Sequence, residues 1–144
     1  MKAENQRLTW RNLRDFAFQH SARVFDGWAD DKIMAFLRWR ARTGTLIVAS
    51  EDCEVAGFVA WHRIPDDLDP RDAVQWTWQQ PASAGCQVYI SALVASCPAA
   101  LQTLAEEFTR RVNWRDSKIY AHRRGRLVNV KNPDRYGTLQ ARHA

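Results

Sequence analysis

The sequence lacks long apolar runs. No apolar stretch approaches the ~20 residues that a membrane-spanning helix requires, and residues 1–5 do not lead into the apolar segment of a secretory signal. We therefore expect a cytoplasmic protein without a membrane span. The apolar fraction of 46% and the charged fraction of 26% are ordinary for one globular domain. A chain of 144 residues also buries enough surface to fold without a metal or a disulfide.

Cysteine is scarce, and its spacing excludes the common metal motifs. Cys53, Cys86 and Cys97 form no Cys-x-x-Cys pair and are too few for a disulfide scaffold. We expect them to be small buried side chains. Cys97 precedes Pro98 at a predicted helix start, where a thiolate would be stabilised, so it is the one candidate nucleophile among them. The four aspartates of segment 66–72 lack the spacing of a calcium loop, so we expect a solvated loop and no metal.

Apolar periodicity predicts a mixture of helices and strands. The predicted elements, in chain order, are helix 8–28, helix 30–43, hairpin strands 45–50 and 55–62, strand 87–95, a helix that begins at Ser96-Cys97-Pro98, and hairpin strands 117–122 and 127–130. The segment 65–85 is predicted to be a loop with one short element around 74–78. A helix between two strands implies a crossover and parallel pairing. We therefore expect one α/β domain with a mixed sheet over residues 1–131 and a polar tail over 132–144.

Helical spacing also predicts which side chains are buried. In the first helix, one face carries Trp10, Leu13, Phe16, Ala17 and His20. Asp30 and Asp31 are predicted to cap the second helix, and Gly44 to end it. Strand 87–95 is apolar on both faces and is therefore predicted to be central. In the helix after Pro98, the predicted buried stripe is Ala99, Leu101, Leu104, Ala105 and Phe108.

This order of elements resembles the Gcn5-related N-acyltransferase (GNAT) superfamily. The resemblance covers about residues 8–131. The segments that carry it are Leu46-Ile47-Val48-Ala49, Val55-Ala56-Gly57-Phe58-Val59-Ala60-Trp61, Tyr89-Ile90-Ser91-Ala92-Leu93-Val94-Ala95-Ser96 and the helix after Pro98. It implies transfer of an acyl group from a thioester to an amine. It also implies that the strands centred on Ile90 and Ile119 part and leave a slot for the thioester arm.

Two branches of that superfamily are the most similar. The lysine acyltransferases that activate bacterial RTX toxins have a hairpin, an aromatic-Ile strand and a final strand that runs into a turn in the same order. The corresponding segments here are Val59-Ala60-Trp61, Tyr89-Ile90-Ser91 and His122-Arg123-Arg124-Gly125-Arg126. The chain also resembles small GNAT-like proteins encoded by bacteriophages, some of which are virion components.

The resemblance implies a set of catalytic residues. The catalytic histidine of the toxin-activating branch falls on or near His20, and the position of its aspartate is occupied by Ser91. Tyr120 and His122, on the neighbouring strand, could act as acid or orienting group, and His62 could line the same cleft. A general base must reach the acceptor and hold a pKa near neutrality, which a histidine can do.

The resemblance also implies a donor site. In typical GNAT enzymes, backbone N–H groups at the start of the helix after the central strand hold the pyrophosphate of the donor. Here the segment 96–101 contains neither the glycines nor the arginine of that motif, and Pro98 removes one N–H. The residues implied to hold acyl-CoA or an acyl-carrier protein are Leu93, Val94, Ala95, Cys97, Ala99, Arg123, Arg124 and Arg126.

Charge is unevenly distributed along the chain. Residues 108–144 hold ten Lys and Arg against two Asp, whereas residues 1–107 hold eleven against fourteen acidic residues. This asymmetry predicts a basic face for donor phosphates, nucleic acid or an acidic protein. The predicted members of that face are Arg110, Arg111, Arg115, Lys118, Arg123, Arg124, Arg126 and Lys131.

Two classes of function are therefore expected from the sequence. The first is an N-acyltransferase, or a catalytically degenerate descendant of one. The second is a non-catalytic binding protein, phage-encoded or a virion component, that uses residues 110–131 on nucleic acid or a protein partner.

Overall fold

The computed structural model describes residues 2–4, 10–72, 87–123 and 126–130. Within those residues the chain forms three α-helices, six strands and a 3-10 helix between the first two α-helices. The helices are α1 (Trp10–His20), α2 (Asp30–Arg42) and α3 (Pro98–Arg111), with the 3-10 helix over Ala22–Phe25. The strands are β1 (Lys2–Glu4), β2 (Leu46–Glu51), β3 (Glu54–Ile64), β4 (Gln87–Ala95), β5 (Lys118–Arg123) and β6 (Arg126–Asn129).

The six strands form one mixed sheet in the order in which they occur along the chain. Neighbouring strands are antiparallel except for β4 and β5, which are parallel and are joined by α3. The predicted mixed α/β fold and the predicted parallel pair are therefore confirmed. The short strand β1, which pairs with the outer edge of β2, was not predicted.

The prediction of one helix over 8–28 is wrong. Helix α1 ends at His20, and a 3-10 helix follows it. The reason lies in Phe25, which a continuous helix would place about 180° around the axis from Phe16. The break brings both rings to Phe58, with centroid distances of 6.4 Å for Phe16 and 6.3 Å for Phe25.

Helix α2 has the predicted length, but its caps differ from the prediction. Ala29 is the N-cap residue, while Asp30 and Asp31 lie in the first turn, where carboxylates interact favourably with the helix dipole. Gly44 follows the helix with a φ of +74°, the left-handed conformation that favours glycine. The helix buries Arg40 completely, with its guanidinium 4.7 Å from the ring centre of Trp39.

The helices cover both faces of the sheet. One buried cluster joins α1, α2 and the 3-10 helix to β2, β3 and β4 through residues such as Phe36 and Phe58. The other joins α3 to the opposite face through Leu104 and Phe108. In α3 the buried residues are Ala100, Leu104 and Phe108, so the predicted burial of Leu101 and Ala99 is wrong. The contact of α3 with the sheet follows this single i, i+4 row, so the side chains of Ala99 and Leu101 lie to the side of it.

The cysteine prediction also needs correction. Cys53 is exposed in the turn between β2 and β3, where Asp52 and Cys53 have φ of 51° and 66°. Both central residues of the tight hairpin turn therefore lie in the left-handed region, which keeps Cys53 out of the core. Cys97 is half-buried at the start of α3. Cys86, the predicted element at 74–78 and the tail 132–144 lie outside the described residues.

The loop after β3 is acidic and solvated, as predicted. Asp66, Asp67, Asp69 and Asp72 are exposed, and Asp69 forms an ion pair with Arg71 at 2.6 Å. The described part of the chain contains no group of three His, Cys, Asp or Glu side chains that could hold a metal ion. None of its helices has the length and apolar character needed to cross a bilayer.

Candidate functional site

The parallel pair β4–β5 divides into a closed half and an open half. Strand pairing runs from Gln87 opposite Lys118 to Ile90 opposite Ala121 and then ends. Both strands continue past this point, β4 to Ala95 and β5 by two residues. The predicted parting of these strands is therefore confirmed. We call the space between them the slot and the point where pairing ends the fork.

A β-bulge lies at the fork and accounts for the divergence. In the register between β3 and β4, Trp61 is opposite Ile90 and Ala60 is opposite Ala92, so Ser91 is the extra residue. A bulge bends its strand and increases the local twist, which turns β4 away from β5. The Ser91 hydroxyl donates a hydrogen bond of 3.2 Å to the Ala60 carbonyl. Ser91, placed by the resemblance at a catalytic aspartate, thus has a hydroxyl that holds the bulge.

One hydrogen bond shows which peptide groups of β4 face the slot. The Ser96 amide donates to the Ala56 carbonyl at 2.9 Å, one position beyond the last register pair, Gly57 opposite Ala95. Hydrogen-bonded pairs alternate along antiparallel strands, so Val94 also directs its peptide groups to β3. Leu93 and Ala95 direct theirs to the other side, into the slot.

Two of the three predicted arm-binding residues therefore have the required orientation, and the third does not. Val94 directs its backbone to β3, and its side chain is buried in the α1–α2 cluster. The Leu93 side chain, by contrast, is 43% exposed.

A helix start and two arginines lie at the edge of the sheet toward which the slot opens, and we call this edge the mouth. Because β4 and β5 are parallel, the start of α3 and the end of β5 lie at the same edge of the sheet. Cys97 is the N-cap of α3 and Pro98 its first residue, so the N–H groups that a ligand could reach begin at Ala99. Across the slot, Arg123 and Arg126 are register partners and both are exposed. Arg124 lies outside the described residues.

Three rings lie in a row across β3, β4 and β5 on the face covered by α1 and α2. His62 is opposite Tyr89 in the register, and their ring centres are 5.5 Å apart. The Oη of Tyr89 lies 2.8 Å from Nδ1 of His122, a hydrogen bond whose donor depends on the histidine tautomer. His62 and Tyr89 are buried, while His122 is exposed. Burial raises the pKa of Tyr89 to about 12, so this side chain is a neutral phenol near neutrality.

The structure places the two other predicted catalytic residues differently. His20 is exposed at the end of α1, and its ring lies 4.5 Å from Phe16. Phe16 contacts Phe58, which is opposite Val94, so the end of α1 lies over the open half of the sheet. Tyr120 is half-buried against the cluster of Tyr89 and Ile64 in the closed half. His122 and His20 are therefore on the same face, whereas Tyr120 is a packing residue of the closed half.

Sequence reasoning missed the pairing of Tyr89 with His122. These residues are 33 positions apart, and only the parallel register, with Tyr89 opposite Tyr120, brings them to the same face. The available signal was the period of two in β5, which puts residues 120 and 122 on one face. The register itself could not be read from that pattern.

The described members of the predicted basic face are spread along the sheet, and a single basic surface stays a prediction. Lys118 and Arg123 stand at opposite ends of β5 and are separated by roughly 16 Å. The basic side chains of the described residues therefore divide into a group at the mouth and a group at the end of α3. In the latter, Arg111 contacts Glu107 at 3.3 Å and donates to the Gly44 carbonyl at 3.2 Å, while Arg110 contacts Glu107 at 3.0 Å. Lys131 lies outside the described residues.

Comparisons with known proteins support the fold. No family model matches the sequence, and no curated protein matches it. The loading GNATL domain of CurA from Lyngbya majuscula has a similar structure, with a TM-score of 0.55 and 10% identity. The match covers 83% of this chain but only 63% of the CurA domain, so this protein spans less than two thirds of the length of that domain. A GNAT-family protein from Desulfovibrio desulfuricans gives a TM-score of 0.50 at 10% identity, covering 97% of this chain and 81% of the other.

The fold of the described chain is therefore GNAT-like. At these identities the likeness concerns the fold alone. The resemblance to toxin-activating acyltransferases and to phage-encoded proteins stays a prediction.

Proposed function

We propose that this protein is an N-acyltransferase that holds an acyl thioester donor, in the first place acyl-CoA, in the slot. The observation that carries the proposal is the end of strand pairing at the fork while β4 continues. The open segment, residues 91–95, spans roughly 16 Å of extended backbone. An amide-containing arm can lie beside it as an added strand, because Leu93 and Ala95 direct their peptide groups there.

The charges at the mouth support a phosphate-bearing donor. The start of α3 offers N–H groups and the positive end of a helix dipole, and Arg123 and Arg126 lie at the same edge. Guanidinium groups bind phosphate through charge-assisted hydrogen bonds. We propose that these arginines replace the missing arginine and glycines of segment 96–101.

Calorimetric titration tests this proposal. We expect saturable binding of acetyl-CoA to the full chain, weakened about tenfold or more by the double change Arg123→Ala and Arg126→Ala. The matched control is Arg115→Ala with Lys118→Ala, which removes the same charge at the far end of β5. We expect the control to bind within about twofold of the wild type. Absence of acetyl-CoA binding, or equal losses in both variants, would contradict the proposal.

The same titration identifies the type of donor. A CoA site gains affinity from the adenosine diphosphate portion, whereas a carrier-protein site needs only the phosphopantetheine arm. We expect CoA to bind more tightly than phosphopantetheine. Equal affinities would favour an acyl-carrier protein. Binding of acetyl-CoA without transfer to any amine would favour a catalytically degenerate descendant.

The second candidate function is a basic surface for nucleic acid or an acidic protein. The observation in its favour is the cluster at the end of α3, where Arg110, Arg115 and Lys118 are exposed. It ranks second because the described basic residues divide between two ends of the sheet. A gel-shift titration at low salt tests it, and a complex lost in the Arg115→Ala, Lys118→Ala variant would support it.

A further inference from the structure

We infer that His122 is the general base of the slot and that Tyr89 positions it, a statement that rests on the proposed acyltransfer function. His122 is the first residue of β5 beyond the last strand pair, Ile90 with Ala121. Ser91, the bulge residue, is the first residue of β4 beyond the same pair. These two residues flank the inner end of the slot.

The geometry of the donor places the reacting carbonyl near this inner end. With its phosphates at the start of α3, the arm runs along Ala95 and Leu93 toward the fork. The thioester, at the far end of the arm, then arrives beside the fork. A base is needed there to accept the proton that the attacking amine must lose.

The proposed role requires the tautomer of His122 in which Nδ1–H donates to the phenol oxygen of Tyr89. This oxygen lies 2.8 Å from Nδ1 of His122 and can accept the Nδ1–H, which leaves the lone pair on Nε2. Tyr89 is only 5% exposed and its ring is flanked by that of His62, so the phenol cannot rotate away. His122 is exposed, so an acceptor molecule can reach it.

The proposed step balances as a transfer between a primary amine and a thioester. The amine nitrogen forms a bond to the carbonyl carbon, and the bond from that carbon to sulfur breaks. The surplus proton of the nitrogen passes to Nε2 of His122 and then to the departing thiolate. The products are an amide and a thiol, and the imidazole is restored. While His122 is protonated, its Nδ1–H still donates to Tyr89, so no rearrangement is required.

The tautomer of His122 is the first test and does not depend on the acceptor. Protein labelled with ¹⁵N in its imidazole rings is studied by long-range ¹H–¹⁵N correlation, with His122→Gln assigning the signal. We expect the Nδ1–H tautomer in the wild type, and a shift away from it in Tyr89→Phe. The Nε2–H tautomer in the wild type would overturn the assignment. If acetyl-CoA did not bind but the Nδ1–H tautomer were found, the positioning of His122 by Tyr89 would stand and the proposed function would fail.

The second test measures catalysis with the full chain, acetyl-CoA and a set of small primary amines, detecting released thiol. We expect His122→Gln to lower the rate about 100-fold or more while acetyl-CoA affinity stays within about twofold. His20→Gln is measured in parallel because it removes the base expected from sequence. A larger loss in His20→Gln, or a wild type that binds acetyl-CoA but releases no thiol with any amine, would overturn the assignment.

Discussion

The two halves of the β4–β5 pair are built from the same strands but are stabilised differently. In the closed half, β4 is paired on both sides, and Val88 and Ile119 are buried side by side beneath α3. In the open half, β4 is paired only with β3, and helices on both faces must support it. A strand can therefore lose one neighbouring strand and keep its position when it is packed above and below. The peptide groups so exposed become a means of binding a ligand.

The largest expected effect is on the support of the open half by the helices above it. Phe58 is completely buried opposite Val94 and contacts the rings of Phe16 and Phe25. We expect Phe58→Ala to lower the free energy of unfolding by about 3–5 kcal/mol, because it removes a large ring and leaves a cavity. Urea unfolding measures this loss. A loss below about 1 kcal/mol would mean that the helical layer contributes little to the open half.

The next largest effect concerns the packing of α3 against the other face of the open half. A Cβ added to Gly57 would lie 2.9 Å from the Val94 carbonyl oxygen and 3.1 Å from Leu104. We expect Gly57→Ala to lower the free energy of unfolding by about 1–3 kcal/mol and to weaken acetyl-CoA binding. Both β4 and α3 must move away from the added methyl group.

Gly44→Ala provides the matched control for this change. Its added Cβ would meet no atom within 4 Å, although its φ of +74° makes the substitution strained. We expect it to lower stability by about 1–2 kcal/mol with acetyl-CoA affinity retained. A similar loss of affinity in both variants would show that the effect is not specific to the open half.

Hydrogen exchange should distinguish alternate amides within the open half. The amides of Leu93 and Ala95 face the slot, whereas those of Ala92 and Val94 face β3. We expect the first pair to exchange about tenfold faster or more in the absence of donor, and to become protected when acetyl-CoA is added. Equal protection of all four amides without donor would contradict the open slot.

The smallest expected effect is at alkaline pH and tests the boundary between the halves. The folded pKa of Tyr89 is raised to about 12 from 10.0, so between these values the folded state binds more protons than the unfolded state. Stability should therefore fall as pH rises from about 10 toward 12. The difference in the free energy of unfolding between the wild type and Tyr89→Phe, measured by urea unfolding at each pH, isolates this contribution from other groups that titrate there. An unchanged difference across that range would show that the phenol is not buried at the fork.

Much of the fold could be predicted because local patterns decide it. Strand β4 has the predicted bounds, Gln87–Ala95, since nine consecutive residues suit a buried strand. Helix α3 begins after Cys97 as predicted, because proline is favoured in the first turn. The break after His20 escaped prediction, since it depends on Phe25 reaching Phe58, a contact made only in the folded chain.

The candidate site was predicted in part. The slot and its arm-binding strand were implied by the resemblance to the GNAT superfamily, whereas the orientation of Val94 depended on the hydrogen-bond phase between β3 and β4. The spread of the basic residues has a related cause. Sequence proximity joined Lys118 to Arg123, but an extended strand separates its two ends.

By itself, the sequence determined the kinds of elements and their order, because apolar periodicity and helix end signals act over a few residues. It also determined the parallel connection through α3, since a helix between adjacent strands reverses the chain twice. Only the tertiary structure decided where β4 and β5 part, that Ser91 is the bulge, and that Tyr89 meets His122. Those features depend on register between strands that are distant in sequence, and register is set by packing over the whole sheet.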